Sequence, residues 1–223
     1  MLKPNKPSEK RRNARTRIHE AAMRTFADRG TANVSLSDLA EAAGIARGTI
    51  YNNISNPENL FADVAADLSA EMIARVEATI VDIEDPALRL ATGIRLFIRR
   101  AAEERNWGLF LVRFGIGHDD LQMLLEAPPV RDARLVLRRG GRTVDSEFER
   151  SFVGMLAGST LAAMSTVIGG HQTWRNAGIH TAELALLAAG MSQQDAQHLS
   201  RARLPDLAEV PLPAKHTPRS KSS

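Results

Sequence analysis

Apolar residues recur at three- and four-residue spacing along most of the chain, and no stretch alternates apolar with polar long enough to make a strand. Ile18, Ala21, Ala22, Thr25 and Phe26 form a stripe that stops at Gly30 and predicts a helix over 13–29. Leu36, Leu39, Ala40 and Ala43 give a short helix closed by Gly44, and Ile50 with Ile54 marks another over 47–54. From Pro57 the stripe runs through Leu60, Phe61, Val64, Leu68, Met72, Val76 and Ile80, a helix of some seven turns with Asn56 as its cap. Beyond Pro86 the pattern predicts helices over 88–102, over 107–115 with Asn106 as cap, a short piece over 121–125, and one from Pro128 and Pro129 to Gly140. Ser146 and Glu149 read as a capping box for a helix to Gly169. A helix over 181–189 follows, then a last one opened by Ser192 and Asp195 and ending near Leu204. The Pro-, Lys- and Ser-rich segment 205–223 reads as a disordered tail. The class is all-α, with a small amino-terminal three-helix unit and a larger helical domain after it.

The chemistry concentrates in residues 35–61. Ser35 is placed to cap a helix, with Asp38 three residues on, and Gly44 suits the left-handed residue that ends it. Ile45 fills the corner between two short helices, the arrangement of a helix-turn-helix. With Ile50 and Ile54 inward, the second helix turns Arg47, Thr49, Asn52 and Asn53 outward. These side chains suit base edges: Arg bonds guanine bidentately, Asn does the same with adenine, and the Thr methyl meets the thymine methyl. Gly48, without a side chain, lets the helix backbone approach a duplex closely. Net charge is only +3, but Lys3, Lys6, Lys10, Arg11, Arg12, Arg15 and Arg17 crowd the amino terminus with Glu9 alone among them. Such an arm, taken as 1–14, suits phosphates or the minor groove.

At these residues the chain resembles the TetR family of bacterial transcriptional regulators. The family's capped helix with D-(I/L)-A-x-x-A-G-(V/I) appears as Ser35, Asp38-Leu39-Ala40 and Ala43-Gly44-Ile45, and its recognition helix as Gly48-Thr49-Ile50-Tyr51. The likeness is collinear over roughly residues 15–65. It implies that Ser35 and Tyr51 hold phosphates while Arg47, Thr49, Asn52 and Asn53 face the groove. Ala46 stands where the family often has Ser, Asn53 and Ile54 where His and Phe are frequent, and Pro57 where Lys is frequent. The resemblance divides the chain into a helix-turn-helix DNA-binding domain over 15–62 and a helical effector-binding and dimerisation domain over 63–204.

The segment 151–174 carries no Asp, Glu, Lys or Arg. Its length would span a membrane, but internal Ser, Thr and Gly dilute it, and no second segment resembles a span. A helix uncharged all round is otherwise one buried on most sides, and packing against a second copy achieves that. Gly154, Gly158 and Ala162 at i, i+4 spacing permit close approach, and Leu184, Leu187 and Ala188 supply a second apolar face. Two such helices per chain make a four-helix homodimer interface, as the resemblance also implies.

The resemblance further implies a small-molecule pocket among the middle helices, where Phe97, Trp107, Phe110, Phe114 and Met123 cluster. Arg113, His118, Asp119 and Asp120 are candidates for a polar edge. The chain has no cysteine, which excludes disulfides and thiolate chemistry, and its histidines are scattered without ligand spacing. No catalytic residue, metal site or cofactor is expected. The expected function is a cytoplasmic, homodimeric transcriptional regulator, most simply a repressor, that binds a palindromic double-stranded DNA operator. A small, largely apolar effector releases it; no membrane partner is involved. The alternatives are an architectural DNA-binding protein without a sensor and, remotely, a metal-dependent helical enzyme built on His118-Asp119-Asp120.

Overall fold

The computed structural model describes residues 6–53, 57–117, 121, 128–139 and 145–210, with the backbone alone at 6–16, 53, 57 and 128–130. Its helices are α1 (Lys6–Arg29), α2 (Leu36–Ala43), α3 (Arg47–Asn53), α4 (Leu60–Ile80), α5 (Pro86–Glu103), α6 (Arg105–Phe114), α7 (Pro128–Arg139), α8 (Ser146–Ile168), α9 (Trp174–Ala188) and α10 (Gln193–Ser200). No strand occurs among the described residues, so the architecture is all-α. The first three helices form one unit, in which α1 packs on both α2 and α3. In the second, α5 is central and touches α4, α6, α7, α8, α9 and α10.

The units share one core. Ile18, Phe26, Leu39 and Ile50 of the first are buried together with Leu60, Phe61 and Val64 at the start of α4. Phe61 is the joint. Its ring centroid lies 5.2 Å from Phe26 in α1, 5.4 Å from Phe110 and 5.0 Å from Phe114, both in α6. The near-perpendicular pairs, 70° with Phe26 and 73° with Phe114, set the positive edge of one ring on the negative face of another. The Arg113 guanidinium of α6 also donates to the Ala27 carbonyl near the carboxyl end of α1. Helix α6 therefore holds the first unit by an aromatic cluster and by a polar cap on an otherwise open carbonyl.

Several boundaries differ from expectation, each for a local reason. The basic segment from Lys6 continues α1 as helix, so only part of the expected arm precedes that element. Pro57–Asn59 is a single 3-10 turn, and α4 proper begins at Leu60. Helix α6 starts at Arg105 after Glu104, so Asn106 is inside the helix and does not cap it. For α8 the cap is Asp145, whose carboxylate accepts from the Glu147 and Phe148 amides, and Ser146 is the first helical residue. The expected Ser146–Glu149 box does not form; Glu149 pairs instead with Arg134 of α7. Helix α9 begins at Trp174 behind a Thr173 cap, well before residue 181, and Gly178 lets it lie against Arg95 of α5. The Ser192–Asp195 cap of α10 forms as expected. The tail, expected to be disordered from Pro205, is hydrogen-bonded at Asp206 and Ala208.

Candidate functional site

The helix-turn-helix is built by local hydrogen bonds at the predicted residues. Ser35 caps α2: the Asp38 amide donates to Ser35 Oγ at 3.2 Å, and the Asp38 carboxylate accepts from the Ser35 amide and hydroxyl at 3.3 and 2.7 Å. Arg29, at the end of α1, donates to the same carboxylate at 2.8 Å. Arg29 first, then Ser35, hold the Asp38 carboxyl at a pKa of about 2, against an ordinary 3.8. At the other end of α2, Gly44 is left-handed (φ 61°) and the Ile45 amide donates back to the Ala40 carbonyl at 3.0 Å. This closure bends the chain into α3. Arg17 donates to the Ala43 carbonyl at 2.9 Å, so α1 fastens both ends of α2.

With Ile50 fully buried, helical periodicity presents the rest of α3 outward. Ser35, Arg47, Gly48, Tyr51 and Asn52 are exposed, and Thr49 is half-buried. Tyr51 is 62% exposed, unusual for a large aromatic in a folded core and suited to a phosphate partner. A Cβ built on Gly48 meets nothing within 4 Å, so no intramolecular packing demands glycine there. Asn53 ends the helix, its side chain outside the described residues, as are Ile54 and Asn56.

The expected pocket residues separate into two places. Phe110 and Phe114 belong to the aromatic joint with Phe26 and Phe61. Phe97 and Trp107 lie together elsewhere, their centroids 5.9 Å apart, and the Arg100 guanidinium stands 4.5 Å over the Trp107 ring. Met123, His118, Asp119 and Asp120 lie outside the described residues, and Arg113 is engaged with α1.

Around Trp107, the pattern of apolar positions gave no sign of a polar cluster. Arg100 is buried, donates to Glu71 at 2.8 Å and Glu104 at 3.0 Å, and touches Met72 Sδ at 3.4 Å. Arg100 Nε, Trp107 Nε1 and Ser69 Oγ are buried without a hydrogen-bond partner among the described residues. Arg100 and Trp107 stack on each other, and Ser69 lies on α4 three residues before Met72, whose Sδ Arg100 touches. Buried polar atoms left unpaired cost roughly 1–3 kcal/mol each, which makes such a cluster an exception to ordinary core construction. A polar residue inside the α4 apolar stripe was the one available signal.

The expected interface residues line an open face. Leu184 is 65% exposed and Leu187 36%; Gly154 and Ala162 are exposed, and Gly158 and Ala188 half-buried. A Cβ on Gly154 or Gly158 meets nothing within 4 Å inside the chain. Among the described helices α8 alone is long and apolar enough to cross a membrane, by length and composition only.

Residues 18–64 match the family model for bacterial regulatory proteins of the tetR family, and residues 85–202 match that for the tetracyclin repressor-like, C-terminal domain. The chain is 44% identical over 52 residues to the HTH-type transcriptional regulator TtgR of Pseudomonas putida, covering 23% of this chain and 25% of that protein. It is 34% identical over 98 residues to the HTH-type transcriptional repressor AcnR of Corynebacterium glutamicum, covering 41% and 52%. These matches span a quarter to about half of the relatives' length. Among solved structures, RolR in complex with the ligand resorcinol superposes with a TM-score of 0.65 at 26% identity, covering 90% of this chain and 100% of that one. A TetR family transcription regulator from Marinobacter aquaeolei shares the fold, with a TM-score of 0.61 at 18% identity over 85% and 97% of the chains.

Proposed function

The chain belongs to the TetR family of bacterial regulatory proteins, and on that footing we propose that it is a ligand-responsive, DNA-binding transcriptional regulator that acts as a repressor in the cytoplasm. One observation carries the reading. The second helix of a properly capped helix-turn-helix turns Arg47, Gly48, Tyr51 and Asn52 to solvent, the residue types that read base edges and hold phosphates. Two copies joined through α8 and α9, along Gly154, Gly158, Ala162, Leu184, Leu187 and Ala188, place one recognition helix on each half of a palindromic operator. For a two-fold dimer the half-sites are separated by about 34 Å or a multiple.

The effector is a small molecule with a flat apolar body and acceptor oxygens. Phe97 and Trp107 offer ring faces, and Trp107 Nε1–H, Arg100 Nε–H and the Ser69 hydroxyl offer donors without partners among the described residues. Around Arg100, Glu71 and Glu104 balance the charge, so a neutral phenol suits the site better than an anion. RolR, a structural relative, is described with resorcinol, a ligand of this chemistry. On DNA, relief of binding needs only that the effector prefer one dimer geometry, commonly by ~1–3 kcal/mol.

The test is selection of an operator by the purified chain from random-sequence duplex, followed by titration at several salt concentrations. A palindromic consensus bound with steep salt dependence supports the regulator; equal weak binding to every duplex supports the architectural alternative. Resorcinol is then added as probe. Release of operator by resorcinol, lost in Trp107→Phe, supports the assigned effector chemistry, and release equally by an aliphatic hydrocarbon of the same size counts against it.

A further inference from the structure

The carboxyl-terminal residues 201–210 run back across the second domain and are pinned at both ends. Arg95 of α5, buried against Gly178 of α9, donates to the Ala202 carbonyl at 2.7 Å. Arg99 of α5 holds the Asp206 carboxylate at 2.9 Å. Farther along, Arg75 of α4 donates to the Ala208 carbonyl at 2.9 Å, and the Ala208 amide donates to Thr79 Oγ1 at 2.8 Å. Leu204 and Leu207 pack on the core between these pins. The Arg75 pin is itself braced, since Arg75 also bonds Glu71 at 3.1 Å, and Glu71 bonds the buried Arg100. Residues 203–210 lie beyond the match to the carboxyl-terminal family model, which ends at 202.

Helix α4 links this strap to the recognition helices. Its first turn, with Leu60 and Phe61, belongs to the core shared with α1, α2 and α3, and its second half carries Arg75 and Thr79. A helix of 21 residues is stiff, so a small change of angle at its carboxyl half moves the DNA-binding unit at the other end. Two hydrogen bonds from one residue, Ala208, restrain that half of α4 from the chain's own tail. We propose that residues 203–210 are a positioning strap: by pinning α4 at Arg75 and Thr79 they fix the angle at which it carries the helix-turn-helix, and so set operator affinity without touching DNA. This rests on the reading of the chain as a DNA-binding regulator.

The chain has no cysteine, so a Thr79→Cys, Ala208→Cys pair defines one disulfide. The 2.8 Å contact between Ala208 N and Thr79 Oγ1 places the two Cα atoms at most about 6.7 Å apart, inside the roughly 4.4–6.8 Å a disulfide spans. The oxidised full chain is expected to bind the selected operator as wild type does. Reduction is expected to weaken that binding about 3- to 30-fold, the range in which remote positions modulate coupling, and to leave random-duplex binding unchanged. Reoxidation restores the affinity. A second variant, ending at Leu204, loses both Ala208 bonds and the Asp206 pair and should bind operator at least as weakly as the reduced form. Operator affinity within twofold of wild type in both the reduced and the shortened protein overturns the proposal, as does equal loss on random duplex. If wild type selects no duplex, it is the DNA-binding reading that has failed. Hydrogen exchange then decides the strap: amides of residues 70–80 exchanging at least about tenfold faster on reduction sustain the restraint on α4, and unchanged rates remove it.

Discussion

Replacing Phe61 by alanine should do more than destabilise the fold: it should separate two unfolding events that coincide in the native chain. Phe61 is 7% exposed, sits on the first turn of α4 and faces rings from α1 and α6 at 5.0–5.4 Å. Truncating a buried Phe costs ~3–5 kcal/mol, made up of lost transfer energy and the cavity left behind. Each edge-to-face or tilted ring pair adds about 0.5–1.5 kcal/mol beyond area, so Phe61→Leu, which keeps most of the volume and loses the geometry of three pairs, should cost about 1.5–4.5 kcal/mol. The two probes report different parts of the molecule. Both tryptophans, Trp107 in α6 and Trp174 in α9, lie in the second domain, whereas far-UV circular dichroism sees every helix. In urea at fixed protein concentration, the wild-type transitions by fluorescence and by circular dichroism should superimpose. In Phe61→Ala the circular dichroism should begin to fall first, as α1 to α3 lose their anchor while the tryptophans keep their surroundings. A loss under about 1.5 kcal/mol with the two probes still superimposed would refute the assignment of Phe61 as the joint.

Arg47→Ala should weaken operator binding by ~1–3 kcal/mol and leave binding to random duplex nearly intact, measured by fluorescence anisotropy; equal loss on both would remove Arg47 from base reading. Asp38 should titrate near pH 2 by carboxyl NMR, and Arg29→Gln should move that midpoint up toward 3.8, because Arg29 is the largest cause of the depression. Since the folded pKa is the lower one, the Asp38 contribution to stability is complete above about pH 3.8 and lost as the pH falls toward 2, and Asp38→Asn should flatten the acid loss of helix in that window. Gly158→Leu should leave the monomer fold unchanged, because a Cβ there meets nothing within 4 Å, and should raise the dimer dissociation constant in sedimentation equilibrium. A dimer of unchanged strength would take α8 out of the interface.

What could be read from the sequence was what is decided within one helical turn. The Ser35–Asp38 box, the left-handed Gly44 and the Ser192–Asp195 cap join residues three or four apart, and all are present, as is the inward Ile50. Misreadings arose where neighbouring residues compete for one role, as when Asp145 caps α8 in place of Ser146, or where a long-range partner fixes a local conformation. The helix expected over 181–189 begins at Trp174, and the stretch before 181 packs through Gly178 on Arg95, 83 positions away in the chain. Aromatic residues belong inside on the sequence pattern alone, but their division between the Phe61 joint and the Trp107 region depends on how α4 and α6 cross.

The arginines show the same limit most sharply. Arg75, Arg89, Arg95, Arg100 and Arg113 resemble ordinary solvated positions on amphipathic helices, yet each donates to a group on another element. Arg89 reaches the buried Asp132 of α7 at 3.0 Å, Arg113 the carbonyl of Ala27, and Arg75 and Arg95 the carboxyl-terminal strap. A planar, always charged donor with five N–H groups can bond one partner and still brace another, and that is how Arg75 serves Ala208 and Glu71 together. Apolar burial alone would make the second domain a bundle tolerant of small slides between helices. These directional bonds limit which slides are available: α6 is tied to α1, α5 to α7, and α4 to the strap. A ligand entering beside Trp107 and Arg100 would therefore act on helices whose alternative positions are few. That is the condition under which a small local displacement becomes a defined change of spacing between the two recognition helices of the proposed dimer and is not dissipated in the core.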